Sequence, residues 1–228
     1  MPPTLGLTSA NGISDRLGDD DHVVLVGPDV GQEPVQVGDP ARGLQALDEL
    51  DRLFRQAVNR QLVSDVEVGC YLSGGMDSGS ITALASSQLP FMRTFTVGFD
   101  LNSASGVELG YDERTKAEYM SYLFKTEHYE MVLKAGDMER ALPRLAWHLE
   151  EPRVGQCYPN FYISGLASKF NKVVLAGVGG DEVFGGYLYF HKAPDAREFH
   201  EELIRKLDAL NNYDCLRANK SMMAWGVE

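Results

Sequence analysis

Residues 70–87, C-Y-L-S-G-G-M-D-S-G-S-I-T-A-L-A-S-S, constrain this chain more than any other stretch. The apolar run 68–72 reads as a buried strand, and Ser73-Gly74-Gly75 removes side chains where the backbone must turn and approach a ligand closely. Helix signals follow at once: Ser78 suits an N-cap or a first turn, and Ile81, Thr82, Leu84 and Ala85 supply an apolar stripe. A strand, a glycine turn and a helix start in succession bring unpaired N–H groups and about half a positive charge to one point. An anion is held there without any cationic side chain, so the stretch predicts a nucleotide phosphate site.

The loop lacks the G-x-x-x-x-G-K-[ST] pattern, so no lysine grips a transferable γ-phosphate. Asp77 sits inside the turn instead, where a bare carboxylate beside polyphosphate is repelled unless a divalent cation lies between them. The loop therefore implies Mg2+. The hexapeptide S-G-G-x-D-S resembles the PP-loop of the N-type ATP pyrophosphatases, which split ATP into AMP and pyrophosphate while activating a carbonyl or carboxyl oxygen.

The 228 residues suffice for one main core with a small appendage, and 44% hydrophobic content is ordinary for a globular chain. A net charge of -12 argues against a nucleic-acid groove and against a polybasic membrane anchor. Cys70, Cys157 and Cys215 are odd in number and far apart, which supports neither a disulfide framework nor a zinc site. No run approaches the roughly 18 apolar residues of a membrane helix, and residues 1–21 lack a basic-then-apolar leader pattern. These features together predict a cytoplasmic protein.

Residues 1–43 read as a lead-in, with a small hairpin from the β-prone runs 22–26 and 35–37. Residues 44–228 read as the ATP-binding domain. It opens with a helix over 44–62 whose apolar positions Leu47, Leu50, Phe54, Val58 and Leu62 recur at helical spacing. Strands are predicted at 93–99, R-T-F-T-V-G-F, and at 127–133, where Tyr129, Met131 and Leu133 share a face. Helices run from Asp112 to Lys125 and from Asp137 through Leu142, Leu145, Ala146 and Leu149. Another fills the stretch between Pro159 and Phe170, and a strand follows at 172–176. Strands alternating with helices of this length predict an α/β fold, a doubly wound parallel sheet with C-terminal helices.

A second glycine cluster, A-G-V-G-G-D-E-V-F-G-G-Y, closes the strand at 172–176 and carries Asp181 and Glu182. In such sheets ligands bind beyond the carboxyl ends of the strands, so two acidic glycine-rich loops can meet across one bound ATP. Asp77 and Asp181 then share the metal on its phosphates.

Several motifs stand in order: Y-L-S-G-G-M-D-S, F-T-V-G-F, Y-D-E-R-T-K-A-E-Y, L-E-E-P, G-G-D-E-V-F-G-G-Y-L-Y-F-H-K-A-P and R-A-N-K-S-M-M-A-W-G-V-E. Together they resemble the synthetase domain of class B asparagine synthetase, over roughly residues 47–228. The resemblance implies a PP-loop sheet of the N-type ATP pyrophosphatase, adenine nucleotide alpha hydrolase-like kind. It implies ATP and Mg2+, adenylation of the aspartate side-chain carboxylate, and attack by ammonia to give asparagine, AMP and pyrophosphate. It further implies that Leu72, Ser73, Val97, Gly98 and Gly177 line the nucleotide, and that residues 73–78, with Gly74, Gly75, Asp77 and Ser78, hold pyrophosphate. Asp77 and Asp181 bind the metal, and Asp77, Asp181 and Glu182 are the candidate catalytic residues.

Three departures qualify the pattern. The family's glutaminase nucleophile is a Cys directly after the initiator Met, whereas this chain begins Met1-Pro2-Pro3 and has no Cys before Cys70. Ammonia, free or from a separate glutaminase domain or subunit, is the expected nitrogen donor. Val178 stands where many members carry a Glu proposed as base for the ammonia step, and the chain stops at Glu228, short of A-R-V-P-F-L-D. An amide synthetase with another acceptor, like β-lactam synthetases or lasso-peptide cyclases, and an inactive ATP-binding remnant therefore remain alternatives. Arg114, Lys116 and Arg153 are candidates to meet a substrate carboxylate. His128, His148, His191 and His200 have no shared metal spacing and are expected to be structural. Surplus apolar surface on the C-terminal helices predicts a tendency to form homo-oligomers.

Overall fold

A computed structural model describes residues 40–103, 110, 112–151 and 157–227. The hairpin expected at 22–37 and Arg153 lie outside the described residues. The chain divides into two units, residues 1–57 and 58–228.

The described part of the first unit belongs to α1 (Pro40–Gln61), whose last turn lies in the second unit. Arg52 bridges Glu49 and Arg55 bridges Asp51 along its polar side. Its expected inward stripe is only partly covered: Leu47 and Leu50 are exposed, Phe54 is half-buried and Val58 alone is buried. Helical spacing identified the stripe but carries no information on what covers it.

The second unit is built on four parallel strands, β1 (Val68–Tyr71), β2 (Arg93–Phe99), β3 (Glu127–Leu133) and β4 (Val173–Leu175), in the order β3-β2-β1-β4. Between β1 and β2 runs α2 (Met76–Ser86), and α3 (Arg114–Phe124) joins β2 to β3. Then α4 (Asp137–Leu149) and α5 (Cys157–Ala167) carry the chain to β4 on the other side of β1. The direction of winding thus reverses between β1 and β4, which opens a crevice at the carboxyl ends of those two strands. After β4 come α6 (Gly180–Phe184), α7 (Ala196–Ala209), a π-helical stretch (Leu210–Cys215) and α8 (Leu216–Met223).

Strand alternation divides the sheet into two faces. Phe95, Val97 and Phe99 of β2 and Tyr129, Met131 and Leu133 of β3 face one core, with Leu145, Leu149, Phe161, Ile163 and Met222 from α4, α5 and α8. The opposite face is smaller and more polar. There Gly98 lies under the Arg114 side chain of α3, Thr94 bonds His128 Nδ1 at 2.9 Å, and Thr82 of α2 donates to Cys70 Sγ at 3.1 Å. His128 is thus packed within the sheet, and burial holds its pKa below the ordinary value. Helices on both faces make the sheet doubly wound.

The buried face of α2 is Ser78, Gly79, Thr82 and Ala85; of the expected stripe Thr82 and Ala85 are buried, while Ile81 and Leu84 stay half-buried. Small residues let α2 sit close to the sheet. On α4 the buried positions are Ala141, Leu145 and Leu149, while Ala146 is exposed. Cys70 and Cys215 are free thiols. Of the C-terminal apolar residues, Met222 is buried, whereas Ile204, Leu216 and Met223 are exposed. No described helix is long and apolar enough to cross a membrane.

Leu145 is fully buried in the core cluster that also holds Phe99, Leu133, Leu149 and Phe161. Leu145→Ala is expected to destabilise the second unit by about 2–5 kcal/mol, read as a lower urea midpoint at unchanged m-value.

Candidate active site

The loop after β1 is fixed before any ligand arrives. Leu72 N–H donates to Phe95 O at 3.0 Å, and the Thr96 hydroxyl donates to Leu72 O, so the end of β1 is tied to β2 beyond the ladder. Gly74 then turns with φ +80, and a side chain there would overlap Lys116. The Ser78 hydroxyl accepts from Ser73 N–H at 3.1 Å and shares a hydrogen bond with the Ser73 hydroxyl at 3.0 Å. Ser73 Oγ accepts from Gly75 N–H at 3.2 Å. Serine hydroxyls therefore shape the turn, and the first turn of α2 opens onto the crevice with Asp77 in it.

The loop after β4 comes to meet it. Gly177 lies so close that a methyl there would stand 3.0 Å from Ser78 N and 3.2 Å from Asp77 Cβ. A methyl on Gly180 would overlap the Asp77 carboxylate outright, and one on Gly186 would overlap that of Asp181. Gly177 and Gly180 thus sit where the two loops approach each other closely. Between them lies a cleft of about 890 Å³.

Ser73, Gly75, Asp77, Ser78, Gly177, Asp181 and Glu182 line this cleft. Leu72 is buried beneath it, Gly74 is at the back of the turn, and Val97 and Gly98 lie in β2 under core and Arg114 contacts. Val178 lines the lip, as do Met76 and Phe184, and all three are exposed.

Burial first, and then the nearby carboxylates of Asp181 and Glu182, push the Asp77 carboxyl above its usual range. Asp181 is pushed up by burial and by Glu182. Among the described residues none of the three acids forms an ion pair, so their mutual repulsion is uncompensated. That is the environment in which a cation binds. Among the described residues no group of three or more His, Cys, Asp or Glu makes a complete metal site. Mg2+ is commonly held by one or two carboxylates together with substrate phosphates, and Asp77 and Asp181 fit that donor set.

Of the expected carboxylate partners, Arg114 is committed to Asp112 at 2.7 Å and to Phe99 O, and Lys116 is an exposed residue beside Glu113. The basic group inside the cleft is Arg217 of α8, which sequence reasoning passed over. Its Nε donates to Glu151 Oε1 at 3.0 Å, its guanidinium lies 3.9 Å from the Tyr213 ring centroid, and its buried Nη2 has no hydrogen-bond partner. Asp214, on the π-helical stretch, also lines the cleft with a buried, unpartnered Oδ2. One signal was available: R-A-N-K and L-E-E-P carry complementary charges, and Lys220 indeed pairs with Glu150 at 2.6 Å while Arg217 takes Glu151. Burial pushes the Cys70 thiol up to about 12, which leaves no thiolate for catalysis.

This arrangement sits in a chain with clear relatives. A sequence model of the family described as asparagine synthase matches residues 49–198. The chain belongs to the asparagine synthase family. Asparagine synthetase (glutamine-hydrolyzing) 3 of Arabidopsis thaliana is 39% identical over 189 residues, covering 77% of this chain and 31% of that protein. Asparagine synthetase (glutamine-hydrolyzing) 2 of Oryza sativa subsp. japonica is 40% identical over 185 residues, covering 78% and 31%. The chain spans about a third of the length of these curated relatives. Among solved structures, NMN synthetase from Francisella tularensis is similar with a TM-score of 0.41 at 17% identity, covering 60% of this chain and 58% of that one. The cleft of this asparagine synthase family member opens at the switch point of its parallel sheet.

The raised Asp77 carboxyl has a consequence for stability. A carboxyl whose folded pKa exceeds its ordinary value, 3.8, contributes stability below that pH and loses it as pH rises through the folded pKa. At neutral pH without divalent cations the ionised group is a burden on the fold. Asp77→Asn is expected to raise Tm at pH 7 in chelator-treated buffer, with the advantage shrinking as pH falls through the raised folded pKa toward 3.8 and gone below it. Thermal melts across pH check this.

Proposed function

We propose that this chain is the ATP-handling part of an amide-forming ligase, which adenylates a carboxylate and passes the acyl group to ammonia. The observation that carries the reading is the contact of the Asp77 and Gly180 loops at the switch point of the sheet. Membership in the asparagine synthase family supports aspartate as the carboxylate and asparagine as the product.

A carboxylate is a poor acyl donor because its leaving group is oxide. In the proposed reaction a carboxylate oxygen attacks the α-phosphorus of ATP, the bond to the bridging oxygen breaks, and pyrophosphate leaves. Ammonia then attacks the acyl carbon, a proton is lost, and AMP leaves with the electron pair of the C–O bond. The first-turn N–H groups of α2 and the Ser73 and Ser78 hydroxyls bind and orient the departing phosphates. Asp77 and Asp181 would hold Mg2+, which would supply the positive charge that lets an anionic carboxylate approach polyphosphate. Arg217, anchored by Glu151 and backed by Tyr213, presents its free Nη2 to a substrate carboxylate. Asp214 and Glu182 are placed to receive an amino group, so an amino acid fits the donor pattern.

A second reading changes only the acceptor. The exposed apolar lip of Met76, Val178 and Phe184 suits an amine larger than ammonia. Release of pyrophosphate, followed for aspartate and other carboxylates with ammonium, with glutamine and with neither, separates the two readings.

Pyrophosphate release is expected only with ATP, a divalent cation and a carboxylate. Asp77→Asn should reduce it by at least about a hundredfold, as loss of charge stabilisation at a reacting group does. Arg217→Lys should raise KM for the carboxylate about tenfold or more while changing KM for ATP little, because lysine cannot reproduce the planar fork. Unchanged turnover in Asp77→Asn would rule out the proposed cation site.

A further inference from the structure

Glu182 is 3% exposed, and its surroundings are built with care around one oxygen. The Tyr187 hydroxyl donates to Glu182 Oε1 at 2.5 Å. The pair is five positions apart in sequence, and the chain between them must fold back on itself. Gly185 makes that turn at φ +65, where a methyl would strike the Phe199 ring, and Gly186 passes against Asp181, to whose carbonyl its N–H donates at 2.9 Å. Both glycines are therefore needed to bring Tyr187 over Glu182.

The phenol ring is fixed independently of that bond. It stacks on Tyr189 with centroids 5.4 Å apart, and Tyr189 lies 4.6 Å from the buried Phe190. Lys206 of α7 places its Nζ 5.5 Å from the Tyr187 ring centroid and 5.7 Å from that of Tyr189. A cation on the ring face and a carboxylate at the hydroxyl orient the phenol as donor. Glu182 meanwhile stands close enough to Asp77 and Asp181 to repel both, yet the three do not form a complete metal site.

We propose that Tyr187 is a positioning residue that latches Glu182 by one oxygen and keeps it out of the shell of the cation shared by Asp77 and Asp181. The latch rests on the proposed ATP-dependent function for its purpose: it reserves Glu182 Oε2 for the substrate's nitrogen. Without the hydroxyl, Glu182 turns toward the two aspartates and completes a three-carboxylate site. Such a site holds the cation more tightly and takes Glu182 from the reaction.

Mn2+ titration of the chain without nucleotide, followed by electron paramagnetic resonance, tests the latch without reference to turnover. Tyr187→Phe, which keeps the ring stack, is expected to bind Mn2+ about tenfold more tightly than wild type, as an added carboxylate ligand does. Adding Glu182→Gln should abolish the gain. Tyr187→Met, a second variant without a hydroxyl, should show the same gain. In the pyrophosphate assay Tyr187→Phe should lose kcat about tenfold or more with KM for ATP nearly unchanged. Mn2+ affinity that stays the same or falls in both hydroxyl-free variants overturns the latch, as does a gain that survives Glu182→Gln. If wild type releases no pyrophosphate with any carboxylate, the proposed function fails while the Mn2+ titration still decides the latch.

Discussion

Gly180, after β4, packs so tightly on Asp77, after β1, that a methyl there would overlap the Asp77 carboxylate. Everything around the cleft follows from that contact. It leaves little room for a side chain at 177 or 180, because a methyl at either would meet Asp77 or Ser78 N. It also forces Asp77, Asp181 and Glu182 together, so two of the three have their carboxyls pushed up and none has a described ionic partner. A fold that maximised its own stability would not keep this arrangement. Its retention makes sense when a cation and a polyphosphate supply the missing charges.

The rest of the second unit holds the two loops at that distance. β1 is the central strand, hydrogen-bonded on both sides, and its continuation is tied to β2 by Leu72 and Thr96. On the other side of the cleft, α8 is clamped to the end of α4 by Lys220–Glu150 and Arg217–Glu151, and Arg144 donates to Ala224 O while lying 4.0 Å from the Trp225 ring centroid. The π-helical stretch before α8 interrupts the α-helical phase and leaves Asp214 and Arg217 facing the same cleft. Such interruptions are frequent at functional sites because they re-aim side chains at a local cost.

The division of labour among the arginines illustrates how context decides function. Arg114 and Arg217 are equally basic in sequence, and both stand near cleft-forming segments. Arg114 spends its guanidinium on Asp112, two residues before it, and on Phe99 O. Arg217 is paired through Nε with a residue 66 positions away, which leaves Nη2 pointing to an unfilled partner. Local pairing consumed the first, and distant pairing merely positioned the second.

The sequence by itself determined the parts whose physics is local. The limits of β2 and β3 coincide with the β-branched and aromatic runs, since strand pattern and glycine punctuation act over a few residues. The strand-glycine-helix character of residues 68–86 was legible for the same reason, as were the acids in both glycine clusters. Only the tertiary structure decided which face of α2 is buried, that Leu47 and Leu50 of α1 remain exposed, and that Arg217 rather than Arg114 or Lys116 enters the cleft. Those outcomes depend on what lies opposite a residue after the chain has folded, and periodicity records a residue's own face but never its partner.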